Sequence, residues 1–398
     1  MMTKQSAVQL SFTMFLVLGA ISALTPLAID MYLPAMPAIA DDFGVMLGDV
    51  QITLTIYTLG FAIGQLFYGP LADSIGRKPV LLGGVGLFLL GAIACTFTQS
   101  IEVLIWVRLL QGFAGAAAAL VIQAVVRDMF EAEDFARTMS FITLIMTVAP
   151  LVAPLIGGHV SVLMGWRAVF AILAIYAAIM LIAISIKIPE TLAKENRQVF
   201  RLRTSLRNYA QLLRNRQAMG LIMCGAFSFS GMFVFLTAGS FVYIDIYGVA
   251  PQDFGYLFGL NILTLVLFTT LNGKVVKKYG SNKMIMFGLT IQLLAGLGLV
   301  VCWIADLGLA FIVPCVMFYV GTISTIGSNG MALLLNKYPN MAGTTSSMAG
   351  TLRFGLGGLI SFIVTLLPGE KSWPMLTMMG LCAVASIVIY KVYGEVKQ

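Results

Sequence analysis

The chain has 398 residues, of which 59% are hydrophobic and 10% are charged. Soluble domains carry roughly 25% charged residues. An apolar excess of this size cannot be hidden in a soluble core, so the composition excludes a soluble domain and points to an integral membrane protein. The net charge of +7 does not call for nucleic acid, because the basic residues gather in alternate loops.

Apolar runs of helical length fall at 9–39, 49–70, 80–99, 101–129, 139–160 and 165–187. After a polar stretch they resume at 217–245, 254–275, 283–304, 308–336, 344–367 and 372–393. About 20 residues at 1.5 Å each cross a hydrocarbon core of roughly 30 Å. Backbone groups in lipid must be satisfied within the segment, so runs of this length are helices. The expected fold class is an all-α membrane protein with twelve transmembrane helices. The first run follows a single Lys and lacks a small-residue cleavage site, so it reads as a retained span rather than a signal peptide.

Between spans 2 and 3 lies Gly69-Pro-Leu-Ala-Asp-Ser-Ile-Gly-Arg-Lys-Pro-Val80, which reads as a tight charged hairpin. Gly69 and Gly76 permit bending and close approach. Asp73 is an acid in a basic loop: either it has a specific partner or it is an ordinary solvated acid. Lys and Arg set the orientation. With the N-terminus inside, the inner segments hold Lys4, Arg77, Lys78, Arg127, Arg137, the block from Lys187 to Arg216, Lys274, Lys277, Lys278, Lys283, Lys337, Lys391 and Lys397. The outer loops hold only Arg167 and Lys371. Both termini are therefore expected in the cytoplasm.

The long hydrophilic segment 189–216 divides the spans six and six. The expected organisation is a bundle over 1–188, a cytoplasmic basic linker over 189–216 and a second bundle over 217–398. A basic amphipathic helix on the inner leaflet and a plain charged linker both fit that segment. Gly69, Gly76 and Lys78 recur as Gly273, Gly280 and Lys283, and Gly157-Gly158 recurs as Gly357-Gly358. Matches at about half the chain length suggest two pseudo-symmetric six-helix bundles with a site between them near the midplane.

Charges inside spans are costly and face a bundle interior or a cavity. Asp30 in span 1 and Arg108 in span 4 lie at equal depth, roughly 10–14 Å below the outer surface at 1.5 Å per residue. They are candidate partners for proton coupling, the carboxylate taking up and releasing a proton under opposing desolvation and cationic influences; a purely structural pair is the alternative. Arg353 sits near the midplane of span 11, and no acid in the second half matches its depth; it is expected to line the substrate cavity, with a helix carbonyl or a reach across to the first half as alternatives. Asp128 follows Arg108 by 20 residues, about 30 Å along one helix, which puts it level with Arg77. An Arg77–Asp128 bridge and two solvated side chains both fit.

His159, the only histidine, reads as an interfacial polar residue. Pro150, Pro154, Gly157 and Gly158 break up span 5 and favour a conformationally active helix contact. Tyr32, Gln65, Gln123, Asn261 and Asn329 are mid-span polar groups expected to line a cavity. Phe227, Phe229, Phe233 and Phe235 would add an aromatic wall if they face inward. Cys95, Cys224, Cys302, Cys315 and Cys382 lie in apolar runs without ligand spacing, so neither disulfides, a metal nor a cofactor is expected.

The hairpin Gly69-Pro-Leu-Ala-Asp-Ser-Ile-Gly-Arg-Lys resembles the signature between spans 2 and 3 of the major facilitator superfamily. Arg108-Leu-Leu-Gln-Gly112 resembles its span 4 motif in proton-coupled members. Ala153-Pro154-Leu-Ile-Gly157-Gly158 is similar to its span 5 antiporter motif, with Ala153 where that motif normally has Gly. Ile29-Asp30-Met-Tyr-Leu-Pro-Ala-Met36, Phe241-Val-Tyr-Ile and Gly350-Thr-Leu-Arg-Phe-Gly355 resemble the Bcr/CflA drug-resistance subfamily. The resemblance implies proton-driven export of diverse drugs across a bacterial inner membrane. It also implies that Asp73 faces the start of span 11 and that Arg77 pairs with Asp128 as a cytoplasmic latch in the outward-facing state.

The expected function is thus a proton-coupled multidrug antiporter working by alternating access as a monomer, with protons, small amphipathic drugs and membrane lipid as partners. Proton symport of a nutrient or small peptide is the alternative. A membrane enzyme is disfavoured by the lack of a Ser/His/Asp set, metal cluster or phosphate loop, and a signalling receptor by the lack of a soluble output domain.

Overall fold

The structure is a computed structural model that describes residues 12–130, 132–197, 210–338, 342–367 and 371–394. Twelve helices among them are long and apolar enough to cross a membrane. Spans 1 to 6 are Met14–Phe43, Leu47–Ile75, Arg77–Phe97, Ile101–Met129, Thr138–Met164 and Trp166–Lys187. Spans 7 to 12 are Arg216–Ile246, Pro251–Tyr279, Ser281–Ile304, Leu309–Lys337, Gly343–Thr365 and Trp373–Gly394. They form an all-α membrane protein of two six-helix bundles. Of the segment 189–216, residues 198–209 lie outside the described residues, as do Lys4 and Lys397.

Small residues let the helices of each half approach closely. Span 2 packs on span 4 through interlocking glycines: a Cβ on Gly64 would lie 2.6 Å from the Phe113 carbonyl oxygen, and one on Gly112 would strike the Tyr57 carbonyl.

Among the described residues four spans depart from continuous α-helix, span 12 only in its last turn, which is π-helix over Tyr390–Gly394. In span 1 the α-helix ends at Asp30, a 3-10 turn covers Leu33–Ala35, and helix resumes over Met36–Phe43. Pro34 and Pro37 lack the N–H groups that would continue the ladder. Span 7 passes from α-helix to π-helix at Phe241–Ile246. Span 10 breaks at Thr322, whose hydroxyl donates to the carbonyl of Tyr319 at 3.1 Å.

The expected hairpin after span 2 is shorter than the sequence suggests. Helix continues through Pro70 to Ile75, and only Gly76, at φ +113°, separates it from the next helix. Gly280, at φ +81°, does the same between spans 8 and 9. A positive φ of this kind favours glycine at both turns. Gly69 is not a close-approach position, since a Cβ there would meet nothing within 4 Å.

The halves touch along two helix pairs, span 2 with span 11 and span 5 with span 8. Starting from the end that carries Asp42, Gly48 lies against the Thr365 carbonyl, and a Cβ on Gly358 would come within 2.8 Å of the Thr58 hydroxyl. The Thr351 hydroxyl donates to the Ala62 carbonyl at 3.4 Å and the Ser347 hydroxyl to the Gln65 carbonyl at 3.0 Å. On the other pair a Cβ on Gly158 would come within 2.6 Å of the Pro251 carbonyl oxygen. Nearer the Arg77 end, Gly69, Gly273 and Gly343 all face open space. Among the described residues the halves meet from the Asp42 end as far as Gln65 and Ser347 and are parted beyond them, at the Arg77 end.

Candidate functional site

Arg77 is buried and collects three acids. Its Nη1 pairs with Asp73 at 2.5 Å and its Nε with Asp128 at 3.0 Å, while its backbone N–H donates to Glu190 Oε1 at 2.9 Å. Arg77 is the first residue of span 3, so Glu190 satisfies an orphan N–H at a helix N-terminus, where negative charge is favoured. The other Glu190 oxygen lies 3.6 Å from Arg197, and Thr191 donates to Asp128 at 3.3 Å. The Arg77–Asp128 pair is therefore formed, but both residues belong to the first half, and the pair stands at the parted end.

Asp73 turns to Arg77 and, among the described residues, makes no bond to span 11; its side chain is 44% exposed. The neighbour expected for it, the start of span 11, adjoins residues 339–341, which lie outside the described residues. Glu190 was not singled out from sequence. Its signal is an acid at the head of a basic linker, but nothing in that pattern says where the carboxylate lands.

Asp30 is 5% exposed and has no hydrogen bond or ion pair among the described residues. Arg108 is fully buried, and its expected ion pair with Asp30 is not formed. Its Nη1 donates to Gln111 Oε1 at 2.8 Å and its Nη2 to the Ala28 carbonyl at 3.3 Å. The guanidinium carbon lies 4.3 Å from the centre of the Tyr57 ring, 4.8 Å from Tyr32 and 5.8 Å from Phe170. Delocalised charge over aromatic faces is a favourable way to bury a cation.

The carbonyl that Arg108 holds belongs to the last turn of the helix ending at Asp30, where the break leaves acceptors without intrahelical partners. Arg108 thus binds the end of the helix that carries the acid, not the acid itself. Tyr57 lies within electrostatic reach of both charges.

Several expected cavity residues are packed inside instead. Tyr32 is fully buried, its hydroxyl bonded to Thr53 at 2.6 Å. Phe235 packs against Tyr243 and Phe258. Gln65 sits in the seam between spans 2 and 11, against Gly350. The Asn329 amide donates to Asn272 at 2.7 Å and to the Thr325 carbonyl at 2.8 Å, so it ties span 10 to span 8. Asn261 is buried with both amide atoms unpartnered among the described residues. For Tyr32 and Asn329 packing overrides the polarity pattern, because each finds a hydrogen-bond partner inside the bundle. Gln123 is exposed on span 4.

Arg353 is half-buried and lies 3.6 Å above the centre of the Phe229 ring. Its Nε has no hydrogen-bond partner, and Nη1 approaches Gly327 of span 10. Phe354 touches Phe229, Phe233 and, across the seam, Phe61, with ring centres 5.3, 5.7 and 4.5 Å apart.

Gly157 lies against the Met31 carbonyl, at the break of span 1, and Gly158 against span 8. Pro154 lies in the same helix. Gly357 and Gly358 repeat this arrangement, on Phe233 of span 7 and Thr58 of span 2. His159 is exposed at the closed end, its Nδ1 2.9 Å from the Leu155 carbonyl.

The sequence pattern of the Major Facilitator Superfamily matches residues 18–362. A bicyclomycin resistance protein homolog of Haemophilus influenzae is 40% identical over 380 residues, 96% of each chain. Multidrug resistance protein D of Escherichia coli is 28% identical over 94% of this chain and 95% of its own. A chloramphenicol resistance protein of Pseudomonas aeruginosa is also 28% identical, over 96% and 92%. Among solved structures, the xylose transporter XylE of E. coli in an inward-open conformation superposes with a TM-score of 0.74 at 14% identity, covering 97% of both chains. A peptide transporter gives 0.76 at 13% identity over 95% and 94%. At these identities the solved structures speak for the fold alone. By sequence pattern, by end-to-end relatives and by architecture, the chain belongs to the Major Facilitator Superfamily, a family of membrane transporters and not of enzymes.

Proposed function

We propose that this protein is a proton-coupled antiporter that exports small drugs, bicyclomycin-like compounds among them, from the cytoplasm of a bacterium across its inner membrane. The observation that carries the reading is Asp30: a carboxyl group buried at the break of span 1 without a bonded counter-charge. A buried carboxyl group favours its neutral form unless a partner stabilises the anion, and an intramembrane acid of this kind suits a proton relay. The bicyclomycin, multidrug and chloramphenicol resistance relatives support drugs as cargo.

With both termini in the cytoplasm, the parted Arg77 end faces inward and the closed Asp42 end faces out. Drug and proton then compete for the central space as the two halves rock. Arg108 sets the field around Asp30 while holding its helix end. The Arg77–Asp73–Asp128 cluster, braced by Glu190, is the inner latch of the first half, and its partner surface on span 11 is met only when that end closes. Pro154, Gly157 and Gly158 form the outer contact that must open and reseal. Protons, small amphipathic drugs and lipid are the partners, and the monomer is the working unit. One charge moved through 100 mV is worth about 2.3 kcal/mol, enough for a drug gradient of roughly 40-fold per net charge.

The test is drug susceptibility in an exporter-deleted host, wild type beside Asp30→Asn, with membrane levels measured in parallel. The variant is expected to reach the membrane and confer no resistance. Undiminished resistance removes Asp30 from the mechanism.

A further inference from the structure

The second half holds a cation that nothing in the fold accounts for. Arg353 lies in span 11, which runs along the seam with span 2. Among the described residues it has neither an ion pair nor a hydrogen bond. Its guanidinium rests flat on Phe229 and reaches toward Gly327, so it stands where spans 7, 10 and 11 converge. Asp245, Asp253 and Asp306 lie toward the span ends, and among the described residues of the second half no acid stands at its depth; Glu370 and Glu395 fall outside the described residues.

Arg108 is the opposite case. It is sealed between Tyr32, Tyr57, Gln111 and the Ala28 carbonyl; its Nε is also unpartnered, but both terminal nitrogens are already bonded. A second unpaired arginine inside a membrane bundle is expensive unless it serves something that comes and goes. A guanidinium carries five N–H donors in a planar fork and accepts nothing. One face of the fork is on Phe229 and the Nε donor is unpartnered. What fits is an oxygen acceptor: the carbonyl, nitro or carboxylate group of a ligand whose apolar part packs on the part of Phe354 left open, backed by the buried rings of Phe229, Phe233 and Phe61.

We propose that Arg353 selects the cargo, admitting neutral or anionic oxygen-rich drugs and rejecting permanently charged cations. This rests on the export reading for the nature of the cargo and narrows it by charge. Membrane-depth charge is consistent with it: two arginines stand against the single carboxyl of Asp30, and protonating Asp30 makes the interior more positive still. An organic cation entering this space meets Arg353 with no acid beside it.

The test is equilibrium binding to the purified full chain in detergent, with chloramphenicol as the neutral probe and tetraphenylphosphonium as the cationic one. Wild type is expected to bind chloramphenicol at least roughly tenfold more tightly than tetraphenylphosphonium. Arg353→Gln is expected to weaken chloramphenicol roughly tenfold, the scale of one charge-assisted hydrogen bond, and to improve tetraphenylphosphonium. Phe229→Leu keeps the charge and removes the stacking face, so it should weaken chloramphenicol while still rejecting the cation. A monodisperse elution profile for each variant separates lost binding from lost fold.

Equal binding of the two probes by wild type overturns the inference and leaves drug export standing. Unchanged chloramphenicol affinity in both variants also overturns it. Binding of neither probe by wild type overturns it as well, and resistance conferred in the exporter-deleted host then judges the export reading separately.

Discussion

The two halves repeat a scaffold and divide what it carries. Each has a glycine pair whose first member packs on its own half and whose second member packs across the seam. Gly157 and Gly158 meet Met31 and Pro251; Gly357 and Gly358 meet Phe233 and Thr58. Each half turns on one glycine with positive φ, Gly76 or Gly280, and each interrupts its first helix, by a 3-10 turn or by a π-helix. The charges are not repeated. The first half carries Asp30 and a hydrogen-bonded arginine sealed in aromatic rings; the second carries an arginine without a hydrogen bond among the described residues and no acid at its depth. Duplication preserved the helix contacts, which a moving bundle needs twice, and left the polar interior free to diverge.

The two arginines give the largest expected contrast. Replacing Arg108 by Leu leaves Gln111 Oε1 and the Ala28 carbonyl buried without their donor and empties an aromatic box. Leaving a buried acceptor without its donor costs about 1–3 kcal/mol for each acceptor. Replacing Arg353 by Gln gives up little more than its contact with Phe229, about 1 kcal/mol. Thermal unfolding of the two variants in one detergent checks this. Equal losses would mean that Arg353 is as much a structural brace as Arg108, and the division of roles between the halves would fail.

The glycine pairs come next. A methyl group at Gly157 would run into the Met31 backbone carbonyl, whereas one at Gly357 meets a Phe233 ring carbon at 3.1 Å. A ring can pivot and a backbone beside a helix break cannot follow easily. Overpacking a well-filled contact costs about 1–3 kcal/mol. Gly157→Ala should fall in that range and Gly357→Ala below about 1 kcal/mol, again read from thermal unfolding. A reversed order would show that the break of span 1 yields more readily than the Phe233 ring.

Much of this was legible in the chain. Apolar run length marked the twelve spans, and Asp30, Arg108 and Arg353 stood out because membrane interiors punish charge. Residue counts along a helix give height, and height correctly put Arg77 level with Asp128. They do not give direction around the helix. Asp30 and Arg108 share a depth, yet Arg108 turns to Tyr57, Tyr32 and a helix-end carbonyl. Tyr32 and Phe235 looked like cavity walls because polarity and aromaticity say nothing of which neighbour covers them. Pro70 suggested a loop start, but one proline inside a helix of 29 residues loses one hydrogen bond and the helix carries on. Glu190 was invisible because its partner is a backbone N–H 113 residues away, and backbone donors leave no trace in sequence.

That N–H supports the finest test of the comparison. The two single-residue turns differ in their surroundings: a Cβ on Gly76 would collide with Glu190 and approach Arg197, whereas one on Gly280 would meet nothing within 4 Å. The start of span 3 is therefore clamped by a carboxylate from the linker, while the start of span 9 is met by a neutral group, the Tyr390 hydroxyl, which donates to Asn282. Glu190→Gln keeps the shape and an acceptor oxygen but removes the charge, which matters both to the Arg77 N–H and to the helix end. Charge at a helix N-terminus contributes about 0.3–1 kcal/mol, so the loss should be of that order. Hydrogen exchange of the amides over residues 77–80 should quicken by roughly two- to fivefold, given 1.4 kcal/mol per tenfold. Residues 281–284, the equivalent turn without a carboxylate clamp, should exchange unchanged and serve as the internal control. If both turns quicken together, Glu190 acts on the whole bundle, and if neither does, the linker only rests against the latch and does not hold it.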